Sequence, residues 1–235
     1  MSYPSHKLPT SFFSLQNLTH LKLQQCVIPP LATLSKFGRL TSLCLYQVIE
    51  DALRFTQSGS SDFVDLFRCL PLIERLEMNQ CPVKLFALGV IPPKLTNAIA
   101  HLKYLGLFGL SFVKEYELSS VFLLVSSSPN IKKIKLEMLS YASREVVSQT
   151  AKGFFDLLDY SDINLEHLCE IEITNFTWLK PEMDFVKVIL AKSPMLANVQ
   201  LMFDKMTDVQ KRCWALEELL KLPRPSSKTK IIVKQ

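Results

Sequence analysis

Glycine is scarce in this chain: 6 among 235 residues, none in a GxGxxG or GxxxxGKS/T pattern. Loops that cradle phosphates need such runs, because only glycine lets successive main-chain amides approach the anion closely, so a nucleotide loop of these types is excluded. Histidine is scarcer still, at 4. His6, His20, His101 and His167 have no Ser, Cys or carboxylate at a spacing that reads as a nucleophile, base and orienter set. No catalytic residue is assigned, and an enzyme is not expected. The cysteines, Cys26, Cys44, Cys69, Cys81, Cys169 and Cys213, contain no CxxC pair and form no zinc-like cluster with histidine, so neither metal nor cofactor is expected. Long apolar runs are missing. The longest, Val121 to Val125, falls far short of the roughly 20 residues that span a bilayer, and the start Met-Ser-Tyr-Pro-Ser-His-Lys lacks the apolar core of a signal peptide. A predominance of one charge sign is missing too: 27 Lys+Arg against 22 Asp+Glu give +5, spread along the chain. That balance points to neither nucleic acid nor a membrane surface. The expectation is a soluble protein with free thiols in a reducing compartment, cytoplasmic and/or nuclear.

What is present is a repeat. The template L-x-x-L-x-x-L-x-L-x-x-C, with other apolar residues substituting, recurs along the chain. Its copies are Leu15, Leu18, Leu21, Leu23, Cys26; Phe37, Leu40, Leu43, Leu45, Val48; Leu70, Ile73, Leu76, Met78, Cys81; and Ile99, Leu102, Leu105, Leu107, Leu110. They continue with Ser128, Ile131, Ile134, Leu136, Leu139; Leu165, Leu168, Ile171, Ile173, Phe176; and Ser193, Leu196, Val199, Leu201, Asp204. The third slots are 22, 33, 29, 29, 37 and 28 residues apart. The first interval suits a leucine-rich repeat, and the longer ones leave room for a helix.

The physics of the template is direct. The L-x-L core has period two, so both residues point to one side of a short strand. The upstream apolar pair, three apart, packs a turn beneath it. One unit cannot bury such a face alone, whereas stacked units form a parallel sheet over a continuous apolar column. The expected fold class is therefore α/β: a leucine-rich-repeat solenoid with a parallel concave sheet and helices on the convex side. Cys26 and Cys81, in the last slot, read as small core residues.

Helical spacing places helices over 62–70, 117–127, 144–159 and 182–192. A last helix over 208–221 is expected to turn Val209, Cys213, Leu216 and Leu220 inward, with Thr207 and Gln210 as a capping box. Ile231-Ile232-Val233 reads as a final strand beside the one around Leu201. The polar segment 57–61 reads as a loop, and Pro29-Pro30 and Pro92-Pro93 punctuate turns.

The register also names the residues facing away from the core, on the surface where solenoids bind. Tyr46, Tyr104 and Phe108 are candidate aromatic anchors for a protein partner, joined by Arg75, Lys133 and Lys135. The plain alternative is that the rings lie flat and cover backbone. Lys133 should face Glu170, and Lys135 face Glu172, on neighbouring strands. That ladder reads as structural before it reads as recognition.

Leu8-Pro9 … Phe13, Leu15-Gln16-Asn17-Leu18-Thr19-His20-Leu21-Lys22-Leu23 … Cys26 and Phe37 … Leu40-Thr41-Ser42-Leu43 … Leu45 resemble the repeat region of plant F-box/FBD/LRR-repeat proteins. Leu168-Cys169-Glu170-Ile171-Glu172-Ile173, Phe176, Phe185-Val186-Lys187 … Leu190-Ala191-Lys192-Ser193-Pro194-Met195-Leu196 and Leu219-Leu220-Lys221-Leu222-Pro223-Arg224 resemble their FBD module. The resemblance implies three regions: an N-terminal segment (1–14), leucine-rich repeats (15–160), and FBD-like repeats with a cap (161–235). It also implies the substrate-recognition part of an SCF-type E3 ubiquitin ligase, holding an unidentified protein target. The F-box that the family places ahead of its repeats has no counterpart here, so no Skp-type adaptor is expected as a partner. Two other readings stay open. One is a small-ligand-binding leucine-rich module, which needs a deep pocket near Tyr104, Phe108 and Lys133; the other is a functionally silent gene fragment. Residues 1–14, with Pro4 and Pro9, cannot build a long capping helix, so the first repeat is expected to present an apolar edge.

Overall fold

A computed structural model describes residues 6–28, 37–50, 67, 70–79, 99–112, 115–140, 163–205, 209–224 and 228–234. Each repeat begins with the turn that its L-x-x-L spacing calls for. The second-slot N–H donates to the first-slot carbonyl, three residues back, in Leu40 to Phe37 (2.9 Å), Ile73 to Leu70 (3.2 Å), Leu102 to Ile99 (3.0 Å) and Ile131 to Ser128 (3.1 Å). The same bond recurs in Leu168 to Leu165 and Leu196 to Ser193, both 3.1 Å. A strand follows each turn: β2 (His20–Gln24), β4 (Ser42–Tyr46), β6 (Arg75–Asn79), β7 (Tyr104–Leu110), β8 (Lys133–Met138), β9 (Glu170–Phe176) and β10 (Asn198–Phe203). These join β11 (Lys230–Lys234) in one eight-stranded sheet, in the order β11-β10-β9-β8-β7-β6-β4-β2, with every neighbouring pair parallel.

The third slots pair rung to rung: Leu21 with Leu43, Leu76, Leu105, Ile134, Ile171, Val199 and finally Ile231. The expected final strand is thus in place, with Val233 opposite Leu201. Thr229 secures it by donating its hydroxyl to the Leu196 carbonyl at 2.7 Å. All the third- and fourth-slot residues through Leu201 are buried in one continuous cluster. Full burial of an aliphatic side chain stabilises by about 1.5–3 kcal/mol, and a one-residue slip would turn the whole column to water, so the register is strongly specified.

A second, three-stranded parallel sheet was not foreseen. It orders β1 (His6–Lys7), β3 (Cys26–Ile28) and β5 (Ile49–Glu50) side by side. It arises because the chain turns sharply after β2 and β4 through Gln25 and Gln47, whose φ values are 50° and 51°. Gly109 (φ 73°) and Asn175 (φ 55°) occupy the same slot in their own repeats. The fifth and seventh repeats lack this left-handed residue, and two sequence assignments change as a result. Met138, not Leu139, lies opposite Leu110, and Phe203, not Asp204, lies opposite Phe176, each across a register shift. Without the extra residue, the chain reaches the last slot one position earlier. At the N-terminal end, a 3-10 turn (Thr10–Ser14) covers the first repeat, with Phe12 edge-on to Phe37 at 5.9 Å. Leu21 and Leu23 are buried there, while Leu15 stays exposed.

Three helices lie among the described residues: α1 (Glu115–Ser126), α2 (Lys180–Lys192) and α3 (Val209–Lys221). Their buried side chains join the apolar column, so they cover the leucine face and leave the other face of the sheet open. Phe185 of α2 packs against Phe122 of α1 and against Phe112, each at 5.4 Å. Helix α3 corrects the expected inward face. Ala215 and Leu219 are buried, whereas Cys213, Leu216 and Leu220 are exposed, Leu220 at 73%. Ala215 and Leu219, four apart, share the buried face, which leaves Leu216 and Leu220 on the solvent side. The side chain of Val209 lies outside the described residues, as do Thr207, Cys81, the helix expected over 144–159, most of that over 62–70, the loop 57–61 and both proline pairs. No helix among the described residues is long and apolar enough to cross a membrane.

A glutamate clamp enters two of these helices and was also missed. Glu117 Oε2 accepts from Ser111 N (2.9 Å), Ser111 Oγ (2.7 Å) and Phe112 N (2.9 Å). Glu182 Oε2 accepts from Thr177 N (2.8 Å) and Trp178 N (2.9 Å), and its Oε1 from Thr177 Oγ1 (3.0 Å). Each glutamate is the third residue of its helix, and Phe112 (φ 52°) and Trp178 (φ 69°) are both left-handed. The carboxylate reaches back past the helix start and satisfies main-chain donors of the left-handed turn that leads into it, much as the glutamate of a capping box does.

Candidate functional site

The open face carries three rows of side chains, read across the rungs from the strand pairings. The first runs His20, Ser42, Arg75, Tyr104, Lys133, Glu170, Asn198, Lys230; the second runs Lys22, Cys44, Glu77, Gly106, Lys135, Glu172, Gln200, Ile232. In the third, Gln24 pairs with Tyr46, Asn79 with Phe108, and Phe108 with Glu137.

Four of the six candidate residues meet on the neighbouring strands β4, β6 and β7, in the N-terminal half of this face. Tyr46 and Phe108 pack with ring centres 5.6 Å apart. The Arg75 guanidinium lies over the Tyr104 ring at 3.8 Å, within the range of a cation–π contact. Between the two pairs stands Glu77, only 8% exposed. The Tyr46 hydroxyl donates to one of its oxygens, and Arg75 donates to the other and forms an ion pair with it. A carboxylate this buried is stable only when so bonded.

Gly106 makes the arrangement possible. A Cβ there would lie 3.1 Å from Glu77 Cγ and 3.2 Å from both a Phe108 and a Tyr104 ring carbon. Neither Glu77 nor Gly106 was among the sequence candidates, although a glycine inside a strand signals close approach of other groups. The cluster shifts its neighbours' ionisation. Burial first, then the hydrogen bond to Glu77, holds the Tyr46 phenol well above its usual range. Burial and the Glu77 charge raise Tyr104 and the Cys44 thiol in the same sense.

Lys133 and Lys135, beside Tyr104 and Gly106 on the next strand, turn their ammonium groups to the strand beyond, in the expected ladder. Lys133 Nζ lies 2.8 Å from Glu170 Oε1, and Lys135 Nζ lies 2.9 Å from Glu172 Oε1. Glu172 Oε2 also lies 4.0 Å from Lys133. All four are partly exposed, so each pair contributes at most about 1 kcal/mol. His101 and His167 are exposed.

No family model matches the chain. The chain is 29% identical over 188 residues to an F-box/FBD/LRR-repeat protein of Arabidopsis thaliana, across 79% of this chain and 44% of that protein. It thus spans under half the length of the curated relative it matches. A crystal structure of a Bacteroides fragilis protein is similar with a TM-score of 0.40 at 12% identity, covering 94% of this chain and 66% of that one.

Proposed function

We propose that this chain, a plant F-box/FBD/LRR-like protein by its sequence, is a noncatalytic interaction solenoid that holds a protein target on its open sheet face. It does so as the substrate-recognition part of an SCF-type ubiquitin ligase would. The observation that carries this reading is the interlocked group Tyr46, Arg75, Glu77, Tyr104 and Phe108 across strands β4, β6 and β7 of the face. Tyrosine and arginine dominate binding hot spots because they present large area with few rotamers to freeze. Here the rotamers are already frozen: Glu77 fixes the Tyr46 hydroxyl and the Arg75 fork, and Gly106 leaves the space for it. A partner docking on this group therefore meets a preorganised surface and loses less entropy.

The test is affinity capture from plant extract with the wild-type chain and with a Tyr46→Ala, Arg75→Ala double variant whose thermal unfolding has been checked. The expected result is a protein recovered with the wild type and lost with the double variant. Equal recovery by both would overturn the assignment of the target to this face.

A further inference from the structure

The sheet ends on β11, which pairs with β10 on one side and with no strand among the described residues on the other. Lys230 N donates to the Ala197 carbonyl at 2.8 Å, which turns the main-chain groups of Lys230, Ile232 and Lys234 toward β10. Successive residues of a strand in a parallel sheet bond to opposite sides. The N–H and C=O of Ile231 and Val233 therefore point to the free edge, where each needs a partner or water.

Three features of this edge say what completes it. The first is apolar surface. From Leu21 to Leu201 the third- and fourth-slot side chains are buried, whereas Ile231 and Val233 are only partly buried, and Ile232 on the open face is 38% exposed. A terminal rung needs a cover, and here the leucine column runs out to the edge without one among the described residues.

The second feature is charge. Arg224, Lys230 and Lys234 are exposed, and no acidic side chain among the described residues pairs with any of them. Arg224 and Lys230, with Lys228 and Asn198, line an open cleft of about 730 Å³ where β10 and β11 begin. Pro225, Ser226 and Ser227, which join Arg224 to Lys228, lie outside the described residues and carry no charge.

The third feature is how the same sheet treats its other lysines. On β8, Lys133 and Lys135 each meet a carboxylate in their own row one rung on, Glu170 at 2.8 Å and Glu172 at 2.9 Å. Lys230 continues the row of Lys133, Glu170 and Asn198, at its last place, with no described rung beyond to answer it. A second copy of this edge cannot supply the answer. Lys-Ile-Ile-Val-Lys reads almost alike in both directions, so antiparallel pairing of two copies about Ile232 sets Lys230 against Lys234 at both ends. Like charges directly opposite are destabilising.

We infer that the β11 edge takes an extended acidic segment of a partner protein as a ninth strand of the sheet. One carboxylate of the segment lies opposite Lys230 and another opposite Lys234, with apolar side chains opposite Ile231 and Val233. Main-chain bonds to Ile231 and Val233 hold the strand, and the two carboxylates select it among extended chains. Strands β8, β9 and β10 separate this edge from the group around Glu77, so the surface is additional to that group and does not rest on it.

The probe is the fluorescent peptide Ser-Glu-Val-Thr-Val-Glu-Ser, titrated into the full chain up to about 1 mM and followed by anisotropy. Hydrogen exchange read by nuclear magnetic resonance locates it. Without peptide, the amides of Ile231 and Val233 should exchange faster than that of Ile232; with peptide, those two should slow. The double variant Lys230→Glu, Lys234→Glu reverses two exposed charges, and circular dichroism verifies its fold. It should bind the peptide at least about tenfold more weakly and should instead accept a peptide carrying lysine in place of both glutamates. Arg75→Ala should bind as the wild type does. Absence of binding, or affinity indifferent to the double reversal, overturns the inference. So does binding that leaves Ile231 and Val233 unprotected; if it also falls with Arg75→Ala, the peptide sits on the open face, and the proposed function survives without the edge. A dimer in sedimentation velocity that protects the same two amides would make a second copy the occupant and overturn the acidic partner.

Discussion

Replacing Glu182 by alanine tests the clamp that sets α2 against the sheet. The side chain is 1% exposed and accepts three hydrogen bonds, two from main-chain N–H groups and one from the Thr177 hydroxyl. Truncation leaves the buried Trp178 N–H and the Thr177 N–H without this acceptor, at about 1–3 kcal/mol for each buried donor left unpaired. It also removes a negative charge from the positive end of the helix, worth about 0.3–1 kcal/mol. Together these predict a loss of about 3–5 kcal/mol. For a chain of this size that is a fall in Tm of roughly 6–20 °C. Glu182→Gln keeps one carbonyl oxygen for the two main-chain donors, and the expected loss is smaller, about 1–2 kcal/mol. Thermal unfolding followed by circular dichroism reads both values, and hydrogen exchange localises them. The amides of Thr177 and Trp178 should lose protection in the alanine variant before those of β7 do. An alanine variant that loses under about 1 kcal/mol, or that cannot be distinguished from the glutamine variant, would refute the clamp as the reason this turn holds its left-handed geometry.

Gly106→Ala should cost about 1 kcal/mol, because Glu77, held by two partners, yields little to a Cβ placed 3.1 Å away. A double-mutant cycle checks this: with Glu77→Ala present, the added methyl should cost measurably less, and strict additivity would count against the contact. Tyr46 and Tyr104, both raised, should remain protonated in an ultraviolet phenolate titration where an unperturbed tyrosine ionises near pH 10. The stability they contribute is fully present below that value and lost as pH rises through their higher folded values. Unfolding free energies should therefore fall less steeply above about pH 10 in Tyr46→Phe than in the wild type, and equal slopes would exclude the shift. Lys133→Ala should change stability by no more than about 1 kcal/mol in chemical denaturation, since its partners Glu170 and Glu172 are partly solvated. A larger loss would mean that the ladder carries part of the fold.

Much of the architecture was legible because the period-two core and the L-x-x-L turn are local signals repeated in every unit. Leu21, Leu43, Leu76, Leu105, Ile134, Ile171 and Val199 fall in one row because nothing else in their units buries so well. The failures were at corners and at the last helix. Gly109 and Asn175 insert a left-handed residue that Met138 and Phe203 do without, and a fixed template cannot register that difference. Helix α3 misled because its apolar residues are spread around it: Ala215 and Leu219, four apart, are buried, while Leu216 and Leu220 fall on the exposed side. The open face was half legible. Period two placed Tyr46, Arg75, Tyr104 and Phe108 on it, but a buried glutamate joining them depends on the cross-strand neighbours that Gly106 leaves room for, and no single strand displays that.

Site-specific photocrosslinking tests the central claim most directly. A photoreactive phenylalanine analogue is placed at Phe108 on the open face in one chain and at Trp214, exposed on α3, in another. Both chains are irradiated in plant extract, and the adducts are identified by mass spectrometry. One protein should be joined reproducibly at position 108, be absent at position 214, and disappear from 108 when Arg75 is alanine. Adducts at position 214 with none at 108, or adducts at 108 indifferent to Arg75→Ala, would contradict it.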